Sequence, residues 1–101
     1  MMARFDVHPM PGGRPGYVLD VQADLLSELA TRIVVPLLPA EMAPKPFSDL
    51  NPVFEVDGTR HVMMTQAIAS IPRRELSQHI CSLAAERDSI TRALDVLLIG
   101  F

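Results

Sequence analysis

The chain has 101 residues, 49% of them apolar and 21% charged, with a formal net charge of −3. That composition predicts one globular domain over residues 1–101 and excludes a disordered or low-complexity chain. The acidic balance disfavours direct nucleic-acid binding, which calls for a basic face.

In chain order, residues 4–7 alternate polar and apolar and predict a short first strand. Residues 8–16, HPMPGGRPG, are a loop by their Pro and Gly density. Residues 17–21, YVLDV, predict a second strand that closes a hairpin with the first. Residues 23–31 read as irregular or a turn of helix, with Leu25 and Leu26 side by side in a connection. Residues 32–38, RIVVPLL, are the strongest strand. Pro36 donates nothing to a ladder and so predicts an edge or a bulge there. A second proline-rich loop, PAEMAPKPF, covers 39–47 and is long enough to serve a function or a subunit contact.

Residues 52–62 predict a hairpin, with Asp57-Gly58 supplying the two positive-φ positions of a type I′ turn. A strand continues from 62 to 71, broken near Thr65-Gln66 and stopped by Pro72. Residues 73–81 divide between a short strand at 75–77 and a turn at 77–81. A helix is predicted over 83–98, with Ser82 as N-cap and Leu83, Ile90, Ala93, Leu94 and Leu97 as its buried stripe. Asp88 and Arg92, four apart and acid first, form a favourable pair. Val96, Leu98 and Ile99 widen the apolar surface at the helix end, and Phe101 extends it past Gly100. A helix end apolar nearly all round is covered on more than one side, here by its sheet and by a partner. Strands followed by a single helix predict an α+β fold: a small barrel-like antiparallel sheet with one long C-terminal α-helix laid across it.

The residues offer no catalytic set, no metal site and no cofactor motif. Gly12, Gly13 and Gly16 have the wrong spacing for a phosphate loop and precede a strand. His8, His61 and His79 are scattered, and His61, beside a hairpin, reads as a surface residue. The lone Cys81 closes no internal disulfide, which predicts a reducing compartment, and it reads as core rather than nucleophile. Met63 and Met64 read as core or subunit interface, and Arg73-Arg74 as solvated. No signal-peptide core and no apolar run of about 20 residues is present, so the expected location is cytoplasmic, away from membranes. A small chain that is half apolar also favours a dimer.

Several stretches, in their order and spacing, resemble the CcdB toxins of bacterial type II toxin–antitoxin systems. They are VLDVQADLL at 18–26, RIVVPL at 32–37, MMTQ at 63–66 with ASIP at 69–72, and a final helix ending in Gly100 plus one apolar residue. The resemblance covers nearly the whole chain. It implies a CcdB/MazF-like, SH3-like barrel and a homodimer. It implies a plasmid- or chromosome-encoded toxin, not itself an enzyme, that binds the A subunit of DNA gyrase and traps the covalent cleavage complex. A CcdA-type antitoxin would neutralise it, and the two together would repress their operon, with operator DNA met only through the antitoxin complex. By matching position, the gyrase-binding residues are Leu25, Leu26, Asp95, Leu98, Ile99, Gly100 and Phe101. The best-known form of the family ends Trp-Gly-Ile, where this chain has Ile99, Gly100 and Phe101, and has an amide where Asp95 stands. Ile99 offers less contact area than Trp and no ring to stack, so gyrase poisoning is expected to be weaker or tuned to another gyrase. For an acidic antitoxin segment, the two proline-rich loops are candidate rims, with Arg14 and Lys45 as candidate contacts.

Two alternatives stand beside this reading. One is a ribonuclease on the related fold, which needs a basic groove and a convergent acid–base set. The other is a non-toxic relic that keeps only its antitoxin-binding role, its tail serving to close the dimer.

Overall fold

The computed structural model describes residues 2–101. Among them are strands β1 (Asp6–Pro9), β2 (Tyr17–Asp20), β3 (Thr31–Pro39), β4 (Val53–Val56), β5 (Thr59–Met63), β6 (Ala69–Pro72) and β7 (Cys81–Ser82), then helix α1 (Arg87–Leu98). Every pairing is antiparallel, in the order β4-β5-β3-β2-β1-β7, with β6 also on β3. The long β3 is the spine. On one side it pairs with β2; on the other its first half takes β6 (Ile33 opposite Ser70) and its last residues take β5 (Leu37 opposite Met63). That fork curls the sheet into a nearly closed barrel; β4 and β7 end the strand order, and β6 pairs with β3 alone.

The two-residue period of the strands sorts the side chains. Val7, Leu19, Val35 and Leu37 face one way and pack with Phe54, Met63 and the Ile90, Ala93 and Leu94 stripe of α1. Val18 and Val34 face the other way, under Leu76. That second face also holds a buried ion pair. Both nitrogens Nε and Nη2 of Arg32 reach Asp20 Oδ2, at 2.8 and 2.7 Å, and both side chains are fully buried. Burial pushes the Asp20 carboxyl above its usual range, while the Gln22 N–H and then Arg32 pull it down.

The structure corrects several expectations. The first strand is displaced to Asp6–Pro9, because Phe5 takes φ +75 and breaks the alternating run. Pro36 lies on the central β3, not on an edge strand. Its carbonyl accepts from Met64 N at 2.8 Å, so its donorless nitrogen faces the junction where β3 changes partner from β6 to β5. Within 73–81 the strand is at Cys81–Ser82, and residues 73–75 form a 3-10 turn. The α-helix begins at Arg87, after a 3-10 turn over Ala84–Glu86. Ser82 Oγ accepts from Ala84 N at 3.1 Å, so the expected cap serves that turn. Arg92 pairs with Asp49 across the fold, Nε to Oδ1 3.2 Å, rather than with Asp88. Arg73 is exposed but clamps a turn, its Nη1 donating to Ser27 O at 3.0 Å and Leu29 O at 3.3 Å. His61 is 4% exposed, not a surface residue: its ring packs edge-on to Tyr17 with centroids 5.1 Å apart.

Candidate partner-binding site

The end of α1 is built to display rather than to bury. Ile90, Ala93 and Leu94 are the buried helix residues. One turn later Leu98 is 71% exposed, Ile99 60% and Phe101 87%. The helix closes on the carbonyl of Asp95, which accepts from Ile99 N at 2.8 Å and Gly100 N at 3.0 Å. Gly100 then takes φ +95, a conformation that L side chains rarely adopt, and the chain turns off the helix axis. With Asp95, Val96 and Arg92, Gly100 and Phe101 line a groove of about 830 Å3 that reaches Asp49. The Arg92–Asp49 pair holds the helix to the 47–51 turn. Asn51 builds that turn, with Oδ1 accepting from Phe47 N at 2.9 Å and Nδ2 donating to Met63 O at 3.0 Å.

Leu25 and Leu26 sit on a 3-10 turn at Asp24–Leu26, 92% and 47% exposed. Three contacts fix this display. Asp24 Oδ1 accepts from Arg4 N at 2.8 Å, Gln22 Nε2 donates to Leu26 O at 2.9 Å, and Gln22 Oε1 accepts from Ile33 N at 3.1 Å. Gln22 N in turn donates to Asp20 Oδ1 at 3.0 Å. The buried Asp20–Arg32 pair therefore anchors the leucine turn through one glutamine. The Arg73 clamp holds the far side of the same turn, where Leu29 is also 49% exposed.

The groove at Gly100 and Phe101 takes no wall from the 24–26 turn. Arg14 and Lys45 are exposed, each on its proline-rich loop. The loops themselves converge. Gly16 and Glu41 line one groove of about 750 Å3, whose walls do not include Arg14 or Lys45. Sequence reasoning missed the groove's interior, Tyr17, His61 and Cys81, because these come from three strands far apart in the chain. Burial raises the Cys81 thiol above its usual range, and the carboxylates of Asp57 and Asp6 raise it further, which keeps it a thiol rather than a thiolate. His8 Nδ1 lies 2.6 Å from Ser77 O and His61 Nδ1 2.9 Å from Thr59 O, so both rings are tied to backbone. Among the described residues, no three His, Cys, Asp or Glu side chains group to hold a metal ion, and no helix is long and apolar enough to cross a membrane.

A family model described as CcdB protein matches residues 4–100. The chain belongs to the CcdB family. It is thus a toxin of the toxin–antitoxin kind. Among solved structures it is similar to an endoribonuclease in complex with its cognate antitoxin from a mycobacterial species. Identity is 16%, 97% of this chain and 95% of that chain are covered, and the TM-score is 0.78. It is also similar to the Mycobacterium tuberculosis toxin MazF-mt6, at 14% identity, 89% and 92% coverage and a TM-score of 0.71. These likenesses establish a barrel shared by CcdB and MazF-like chains.

Proposed function

We propose that this CcdB-family chain acts as a homodimer that binds the A subunit of DNA gyrase and traps the gyrase–DNA cleavage complex. Its activity is binding, not catalysis, and it works in the cytoplasm. A CcdA-type antitoxin neutralises it and carries it to operator DNA for repression of their operon. The observation that carries the reading is the helix end, where Leu98, Ile99 and Phe101 stand exposed around Gly100 at φ +95. Apolar anchors that enter a partner's pocket supply most of an interface's free energy, and three of them exposed together mark an interaction surface. Leu25 and Leu26 give a second display, and Asp95 fixes the tail through its carbonyl. Arg14 and Lys45 are the contacts proposed for acidic residues of the antitoxin.

A gyrase cleavage assay with supercoiled DNA and ATP tests this, comparing the full chain with one lacking Ile99, Gly100 and Phe101. Linear DNA accumulates with the full chain and is lost with the truncation. If neither yields linear DNA while both stay folded, gyrase poisoning is withdrawn. Likeness in fold to an endoribonuclease makes RNA cleavage the second reading. Burial of Arg32 against Asp20 and of His8 against Ser77 O weighs against it, and the groove that His61 lines has no Lys or Arg to meet a phosphate. RNA cleavage by the purified chain would decide for it.

A further inference from the structure

The groove of about 750 Å3 between the two proline-rich loops lies on the seam of the barrel. One wall is the end of β4 and the turn after it, with Asp57; the other is Ile80 and Cys81 at the start of β7. Both strands are sheet ends, each paired on one side only, so the groove runs between two strand edges. Its inner surface is apolar and aromatic: the Tyr17 ring against buried His61, with half-buried Cys81 and partly exposed Ile80 beside them.

The charge at the rim has one sign. Glu41 and Asp57 are exposed, and neither belongs to an ion pair among the described residues. No Lys or Arg lines the groove. Arg60 stands between Thr59 and His61, so strand alternation turns it to the other face, where it lies opposite Glu55. The charge of Asp57 reaches across the seam to the Cys81 thiol, which it helps to raise. An acidic rim over an apolar, ring-lined floor between open strand edges fits an extended backbone with apolar side chains and a cationic one. A second copy of the chain is the poorer occupant, because its net charge is −3.

We propose that the seam groove docks an extended cationic segment of a partner protein. An apolar side chain of that segment lies on Tyr17, His61 and Ile80, and a lysine or arginine meets Glu41 and Asp57. The proposal stands apart from the antitoxin reading, whose acidic segment is assigned to Arg14 and Lys45. It gives this face of the toxin the opposite charge preference from Arg14 and Lys45.

The probes are two short capped peptides with a common Leu-Val-Leu core, one flanked by arginine and lysine, the other by glutamates. Each is titrated into the full chain labelled with 15N. The cationic peptide is expected to shift the amides of Asp57, Ile80 and Cys81 and to bind about five-fold tighter than the anionic one. Glu41→Gln with Asp57→Asn should erase that preference. Asn tolerates the φ of +52 at position 57, so the variant keeps its turn, and its unliganded spectrum checks the fold. Equal binding of both peptides, shifts confined to other residues, or a preference surviving in the double variant would overturn the proposal. So would loss of the same amide signals with rising protein concentration alone, which would make a second copy the occupant. No gyrase is present in this experiment, so its outcome stands apart from that of the cleavage assay.

Discussion

Asp20 and Arg32 show how a buried residue pair sets an exposed surface. The pair lies at 2.7 Å with no solvent exposure, and the second oxygen of Asp20 holds the Gln22 backbone that carries the Leu26 turn. Removing one partner of such a pair leaves a charge without its counterion, at a cost of about 3–5 kcal/mol. Arg32→Met is therefore expected to lower stability by that amount near neutral pH. The loss should depend on pH in a fixed direction. Burial already raises the Asp20 carboxyl, and Arg32 is one of the groups opposing that rise. Without Arg32 the folded value rises further above the unfolded one. Such a group contributes stability that is present below the unfolded value and lost as pH rises through the folded value. The gap in urea midpoint between parent and variant should thus be narrower at about pH 4 than at about pH 7.5. An equal gap at both would mean that Asp20 does not take up the proton.

At the scale of elements, local chemistry made most of the barrel legible. Ile33, Val34 and Val35 announce β3, and Asp57-Gly58 announces the β4–β5 turn, with φ of +52 and +78. What stayed hidden depends on distant contacts. The two-residue β7 exists because Asp6 and Val7 pair with Ser82 and Cys81, which no local pattern encodes. The position of Pro36 made sense only once β3 was seen to fork. The exposed helix tail and the leucine turn were legible as apolar runs, through the family resemblance. The seam groove was not, since its walls are brought together only by closure of the barrel. Gly16 shows one such tertiary constraint. It opens β2 at φ +99, and a Cβ built there would sit 2.5 Å from Leu37 O on the neighbouring strand. Gly12, in the same loop, has φ +82 but nothing within 4 Å. Both alanine variants strain the backbone, but only Gly16→Ala must also move β3. Expected losses are about 1–2 kcal/mol for Gly12→Ala and about 3 kcal/mol for Gly16→Ala, read from urea midpoints. Equal losses would show that the close approach to Leu37 relaxes without cost.

For the whole molecule, the question is what the apolar surfaces outside the barrel are for. Leu25, Leu26 and Leu29 are exposed on and beside one turn, and Leu98, Ile99 and Phe101 at the end of the helix. A lone subunit with both in water would be poorly soluble, which favours a partner for each. Two assignments compete for the tail: it closes the proposed homodimer, or it is held out for the proposed gyrase contact. They differ in what truncation does to mass. If the tail is an anchor for another protein, a chain lacking Ile99, Gly100 and Phe101 remains a dimer. Its unfolding free energy then stays within about 0.5 kcal/mol of the parent, as for other exposed sites. If the tail closes the dimer, the truncated chain falls to one chain per particle and its stability becomes that of the isolated subunit. Light scattering across micromolar concentrations separates the two. The expected result is a dimer in both forms, because the core residues of α1, Ile90, Ala93 and Leu94, end before the tail begins. A truncated monomer would move the tail from the proposed gyrase surface to the subunit interface, and would leave Leu25 and Leu26 as the remaining apolar anchors on the turn fixed by Gln22.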